Sequence, residues 1–298
     1  MVSTLAIKKR HKKKVELFDV INITLLVIVC TSMLYPFLNL LFISVSKQSD
    51  VTAAGGILLY PKSINFEAYE YIWNYRNLWT NYKNTIIVTL AGTSFSLVMT
   101  LSGGYSLSKK NLPGRKYMTL YLLITMFIGG GLIPGYLNIR DFGMLNSLWS
   151  LIIPGVVSAW NIFLARNFFM GVPEDLKESA YIDGATEVRT MWSIVLPLSM
   201  PLVATLALFH AVSEWNCYTD ALIYNPKQEY QTLQCIVKQM YSSSSDEMNA
   251  LMQDDMGVPP TDVVRGATVI FTTAPILIVY PFLQKYFTKG VMVGSLKG

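Results

Sequence analysis

The residues best suited to specific polar chemistry fall in two short parts of the chain. In the first, ESAYIDGATEVRTMWSIVLPLSMP (residues 178 to 201), Glu178 precedes the small pair Ser179 and Ala180. Asp183 and Gly184 follow, and Ile194, Leu196 and Pro197 close the pattern. The second is Glu214-Trp215-Asn216, with Trp160-Asn161 as a similar pair upstream. An acid beside small residues offers a polar contact together with close backbone approach. An indole edged by a carboxylate and an amide offers an apolar ring face with hydrogen-bonding edges, which suits sugar recognition. Neither stretch is bond-breaking machinery. The sequence contains no G-x-x-x-x-G-K-[ST] phosphate loop, no Gly-x-Ser-x-Gly and no His-x-x-Glu-His run. Cys30, Cys217 and Cys235 lack metal-ligand spacing, and His11 and His210 lie far apart. Free thiols are expected rather than a Cys217–Cys235 disulfide. No metal or cofactor is expected on this chain, and an intramembrane enzyme is a remote reading.

The elements that must position these residues are membrane helices. Hydrophobic residues make up 52% of the 298 and charged residues 14%, with a mean hydropathy of +0.39. A soluble domain carries about 25% charged residues. Six uncharged stretches approach or exceed the roughly 20 residues that cross a bilayer: 20–46, 84–108, 117–139, 142–165, 190–213 and 266–284. The fifth and sixth spans are taken on to 215 and 286. The expected fold is all-α integral membrane, with six transmembrane helices, because each helix satisfies its own backbone away from water. The runs lack the two-residue alternation of barrel strands. The first is too long for a signal h-region and ends at no small-residue cleavage pattern, so it reads as a retained span.

Charge gives an orientation. Of the 24 Lys and Arg, 16 fall in the N-terminal segment, the second-to-third loop, the fourth-to-fifth connection and the tail. By the positive-inside rule that side is cytoplasmic, with both termini inside. The other side has longer loops, 47–83 and 214–265, and 12 of the 19 acids. The basic run at Lys8–Lys14 has no interleaved aromatics and reads as a topology signal rather than a nucleic-acid patch. The chain therefore divides into a basic N-terminus (1–19), a six-span domain (20–289) and a tail (290–298).

The stretch around residues 171–197 then lies inside. Pro173 followed by Glu174 and Asp175 is a helix start. The spacing predicts one short helix from Glu174 to Ile182, a turn at Asp183-Gly184, and a second helix from Ala185 to Val195. Ala185, Val188, Trp192 and Val195 recur as one stripe, and a bend is expected near Pro197 and Pro201. An amphipathic helix lying in the interface would show such a stripe, but would not need the whole pattern. Gly129-Gly130-Gly131 in the third span could unwind or let helices pack closely.

That compound pattern resembles the EAA-x3-G-x9-I-x-LP loop of ABC-importer permeases, with Ser179 in place of the first Ala. The flanks, Pro173-Glu174-Asp175-Leu176 and Tyr181-Ile182-Asp183-Gly184-Ala185, look like the sugar-importer branch. GGGLIPGYLNIRDFGMLNSLWSLIIPG and YPFLQKYFTKGVMVGSLKG are similar to permeases for complex oligosaccharides. The Gly-rich C-terminus is similar to that of maltose-transporter-type permeases. Nearly the whole chain is covered.

The resemblance implies a transport subunit in a bacterial inner (plasma) membrane rather than an enzyme. Glu178, Ser179, Ala180, Asp183, Gly184, Ile194, Leu196 and Pro197 would form a coupling-helix loop between helices 4 and 5 that docks on a cytoplasmic ATPase. Gly290, Gly294, Lys297 and Gly298 would form an extended tail reaching the ATPase, or else a frayed end. The implied partners are a second permease subunit, two ATPase subunits that use ATP and Mg, an extracytoplasmic substrate-binding protein touching loop 214–265, a carbohydrate substrate and the lipid bilayer. No nucleic acid is implied. Trp160, Asn161, Glu214, Trp215 and Asn216 are candidates for the substrate path, or for an interfacial aromatic belt. A permease for a non-sugar solute is the alternative.

Overall fold

The computed structural model describes residues 17–242 and 262–295, and every regular element in them is helical. The basic run at Lys8–Lys14, residues 243–261 within loop 214–265, Lys297 and Gly298 lie outside the described residues. The helices are α1 (Leu17–Ser44), α2 (Gln48–Ala53), α3 (Glu67–Trp73), α4 (Leu78–Ser108), α5 (Arg115–Phe127), α6 (Leu132–Asp141), α7 (Trp149–Gly155) and α8 (Ala159–Met170). They continue as α9 (Glu174–Ile182), α10 (Glu187–Thr190), a π turn (Met191–Val195), α11 (Leu196–Leu198) and α12 (Met200–Trp215). Last come α13 (Thr219–Tyr224), α14 (Leu233–Ser242) and α15 (Asp262–Ser295).

Among the described residues three helices are long and apolar enough to cross a membrane unaided: α1, α4 and the Asp262–Val279 part of α15. The other three expected spans are broken. The third bends by 114° between α5 and α6, the fourth by 46° between α7 and α8, and the fifth by 87° between Leu198 and Met200. Six spans are reached when each bent pair is counted as one. The causes are local. Three successive glycines at 129–131 disfavour helix by about 1 kcal/mol each, and Gly131 adopts φ 84°. The glycines therefore unwind the chain rather than pack helices. Pro197 and Pro201 flank the Ser199 bend, and each removes one backbone donor from the helical ladder. Residues 190–198 accordingly leave the fifth span and run almost perpendicular to it.

The second span begins at Leu78, before Lys83, so the uncharged run from 84 understates it. The first covers 17–44 rather than 20–46. The last helix continues to Ser295, so Gly290 and Gly294 sit on helical rather than extended backbone. Cys217 and Cys235 are free thiols.

The bundle is organised around α4. At one end, Leu101 and Tyr105 of α4 pack with Ala165 and Phe169 of α8 and with Leu202 and Leu206 of α12. A Cβ on Gly104 would lie 2.5 Å from the Ala165 Cβ, so α4 and α8 touch closely there. At the other end, Leu78 belongs to a cluster with Ile72, Trp215, Ile236 and Ala267. A rim of aromatic rings, Trp73, Trp79, Tyr82 and Phe271, surrounds that cluster. The α1 side chains from Leu17 to Leu34 are largely exposed, including Leu25 and Ile28.

Candidate functional site: the hairpin at the basic end

The arms of the hairpin are joined by a Schellman turn. The Ala185 N–H donates to the Ala180 carbonyl at 2.9 Å and the Gly184 N–H to the Tyr181 carbonyl at 3.0 Å. This turn needs a left-handed residue, and Gly184 supplies it at φ 78°. Thr186 then caps the second arm, its hydroxyl accepting from the Arg189 N–H. The turn and first arm fall where the sequence puts them. The second arm differs: it starts at Glu187 and passes into a π turn at Met191. The extra residue in that turn rotates the helical face. Val195 is thus fully buried, while Val188 and Trp192 are 66% and 45% exposed. The expected stripe of Ala185, Val188, Trp192 and Val195 does not stay on one face.

The hairpin has two sides. Ala180, Lys177, Thr190 and Met191 face inward and are buried. Met191 and Val195, with Leu196 beside them, join the inner core of α4, α8 and α12. Glu178, Ser179, Asp183, Gly184 and Pro197 are exposed, and Ile194 is half-buried. Ile182 is 86% exposed. The outward side is thus an acid beside small residues and an unsheltered aliphatic group, carried on an element whose back is fixed to the bundle.

A polar cluster fastens the hairpin to the end of α4. Three donors converge on one Glu187 carboxylate oxygen: Lys109 Nζ at 2.6 Å, Tyr181 OH at 2.9 Å and Tyr105 OH at 3.2 Å. Lys109 also donates to the Tyr181 hydroxyl. Its ammonium lies over the Tyr105 and Tyr181 rings at 4.9 and 5.0 Å. Burial alone would lower the Lys109 pKa, but its hydrogen bonds to Glu187 and the two tyrosines outweigh that and hold it above its ordinary value. Burial would raise Glu187, and the bonds from Lys109 and Tyr181 instead hold it below the usual carboxylate range. Sequence reasoning missed this cluster, taking Lys109 only as a topology charge. The one local trace is Tyr105 and Lys109 four residues apart, on one helical face.

The expected path residues do not form one surface. Trp215 is buried, its indole N–H donating 3.2 Å to the Thr272 carbonyl and its ring set edge-on to Tyr82. Packing occupies that ring. Trp160 is 65% exposed, Asn216 is exposed, and Asn161 is buried with its amide 3.1 Å from His210 Nε2. Glu214 is buried between two glycines. A Cβ at Gly92 would lie 3.0 Å from its carboxyl carbon, and one at Gly155 3.1 Å from its Oε1. Glycines on two other spans thus make room for this carboxylate.

The structure is thus a bundle of apolar helices with a capped two-helix hairpin at its basic end. The chain belongs to the family of binding-protein-dependent transport system inner membrane components, whose pattern matches residues 117–293. It is 36% identical to Protein LplC of Bacillus subtilis (strain 168) over 290 residues, 97% of each chain. It is 34% identical over 286 residues to the polygalacturonan/rhamnogalacturonan transport system permease protein YtcP of the same organism, covering 96% of this chain and 100% of that one. Its structure resembles a chain from the crystal structure of a bacterial ABC transporter involved in the import of the acidic polysaccharide alginate. The TM-score is 0.82 at 33% identity, over 94% of this chain and 100% of that one. With this family and a relative named as a transport system permease protein, the present chain is a transport subunit rather than an enzyme.

Proposed function

We propose that this chain is one of two permease subunits of an ATP-driven, binding-protein-dependent importer of oligosaccharides, working by alternating access. The observation that carries the reading is the two-sided hairpin. Glu178, Ser179, Asp183 and Gly184 are exposed for a partner, while Met191, Val195 and Leu196 are packed into the bundle. In this reading the basic end is cytoplasmic. Two cytoplasmic ATPase subunits, using ATP and Mg, dock on this hairpin and on its counterpart in the second permease. Ala180, Ile194, Leu196 and Pro197 keep the docked element rigid. ATPase closure moves the hairpins, and the cavity between the two subunits opens to the other side of the membrane. A substrate-binding protein delivers cargo at the outer face, against loop 214–265. The relatives named for polygalacturonan, rhamnogalacturonan and alginate support polysaccharide fragments, acidic ones foremost, as the cargo.

Purification of the tagged chain from its host membranes tests the assembly, and should bring down an ATPase and a second permease. Uptake of acidic and neutral oligosaccharides by the reconstituted complex tests the cargo. Glu178→Lys should abolish ATP-driven uptake while the chain stays in the membrane. Uptake at the wild-type rate would remove Glu178 from coupling, and a preparation with no ATPase would overturn the whole reading.

A further inference from the structure

Helix α4 differs from the third, fourth and fifth spans in being unbroken from Leu78 to Ser108. It is also tied by polar contacts at both ends. At its basic end, Tyr105 and the adjoining Lys109 hold Glu187 of the hairpin's second arm, and Lys109 also reaches Tyr181 of the first arm. At its other end, the Asn84 amide donates to the Glu229 and Gln231 carbonyls at 2.8 and 3.0 Å. The Thr85 hydroxyl accepts from the Leu233 N–H at 2.8 Å, and the Asn77 amide donates to Gln228 at 3.0 Å. The two sets of contacts are roughly 36 Å apart, at 1.5 Å per residue from Thr85 to Lys109. Between them, α4 lies against α8 at Gly104 and against Glu214 of α12 at Gly92.

We propose that α4 is the strut through which the outer segment 228–233 and the hairpin sense one another. Lys109, Tyr105, Tyr181 and Glu187 are the lower positioning residues, and Asn84 and Thr85 the upper ones. The inference rests on the permease reading above and adds the route of coupling. An unbroken helix transmits a push or rotation along its axis without a hinge to absorb it, whereas the bends of 114°, 46° and 87° in the third, fourth and fifth spans can absorb one. The apolar contacts of Met191 and Val195 hold the hairpin's back against the bundle without fixing a direction. The convergent bonds on Glu187 are directional, and they fix the hairpin to the end of α4 in one register.

The test is a double-mutant cycle on the reconstituted complex. It reads how far cargo-loaded binding protein stimulates ATP hydrolysis, the ratio that a coupling route controls and that loss of folded protein alone leaves unchanged. Asn84→Ala and Glu187→Gln should each lower that ratio about fivefold. The double variant should be no worse than the poorer single one, since both interrupt one route. Lys109→Glu and Glu187→Lys should each fail, and the swapped pair should recover most of the ratio. Tyr181→Phe keeps the ring and removes one bond, so it should give a smaller loss in normally assembled complex. Wild-type ratios in the single variants, losses that multiply in the double, or a swapped pair no better than its parents would each overturn the strut. A wild-type complex that lacks an ATPase would instead overturn the underlying permease reading.

Discussion

The two ends of α4 are fastened by different chemistry. The outer end is held by buried, uncharged bonds: Asn84 is 7% exposed and Thr85 fully buried, and their partners are backbone groups of one segment. The basic end is held by a charged cluster at the surface, where Glu187 is 60% exposed. Buried neutral bonds are costly to break because nothing replaces the lost partner. Exposed ion pairs contribute little to stability, since water and salt compete for both charges. The outer end is therefore the costlier of the two to open, while the basic end is held by the direction of its bonds more than by their strength. The basic end is also where α4 and α8 approach closely, Gly104 lying against Ala165.

The largest effect should come from wedging that contact apart. An added methyl on Gly104 would meet the Ala165 Cβ at 2.5 Å and the Arg166 backbone nitrogen at 3.0 Å, so the helices must separate. Gly104→Ala should cost about 1–3 kcal/mol and reduce the amount of folded chain in the membrane. Its neighbour is the control. A methyl on Gly103 would meet Ile162 Cδ1 at an ordinary 3.5 Å, and Gly103→Ala should melt like the wild type in detergent. Equal melting of both variants would show that the α4–α8 contact is not tight.

Next in size is the outer fastening. Asn84→Ala leaves the Glu229 and Gln231 carbonyls without their amide donor. The expected loss is about 1–3 kcal/mol, with faster amide hydrogen exchange over residues 228–233. Unchanged exchange in that segment would mean that Asn84 does not hold it.

The difference between these regions tracks what the sequence could convey. The hairpin turn is written locally: Pro173 and two acids start a helix, and Asp183-Gly184 ends it, so Glu174–Ile182 is legible to the residue. The uncharged runs reveal helices but not their bends, because hydropathy carries no direction. Only Gly129–Gly131 and the Pro197/Pro201 pair hinted at breaks. The clasp on Glu187 joins groups up to 82 residues apart, and the Glu214 niche needs glycines from two other spans. Such pairings arise only once the bundle has set which faces meet. The same holds for Trp215, whose polar neighbours in sequence suggested a ligand surface while its neighbours in space are rings and a backbone carbonyl.

A smaller effect is expected at the turn. Gly184 at φ 78° has nothing within 4 Å of an added Cβ, so any cost of Gly184→Ala is conformational. It should amount to about 1–2 kcal/mol, confined to the hairpin and visible as faster exchange at the Gly184 and Ala185 amides. An unperturbed hairpin would show that the left-handed turn is not required.

The smallest effect on stability should come from the charged clasp, and pH and salt resolve it. Glu187 sits below its ordinary range, so its contribution is present above the usual carboxylate titration and is lost as pH falls through its lowered folded value. Lys109 sits above its ordinary range, so its contribution is complete below the usual ammonium value and is lost as pH rises through the raised one. Both charges persist across neutral pH, and the clasp should give no pH dependence there. Glu187→Gln should lower stability by less than about 1 kcal/mol, and that difference should shrink as salt is added. The Asn84→Ala difference, resting on uncharged bonds, should not change with salt. Melting curves of the two variants at low and high salt measure this directly: parallel salt responses would mean that the two ends of α4 are fastened by the same kind of force after all.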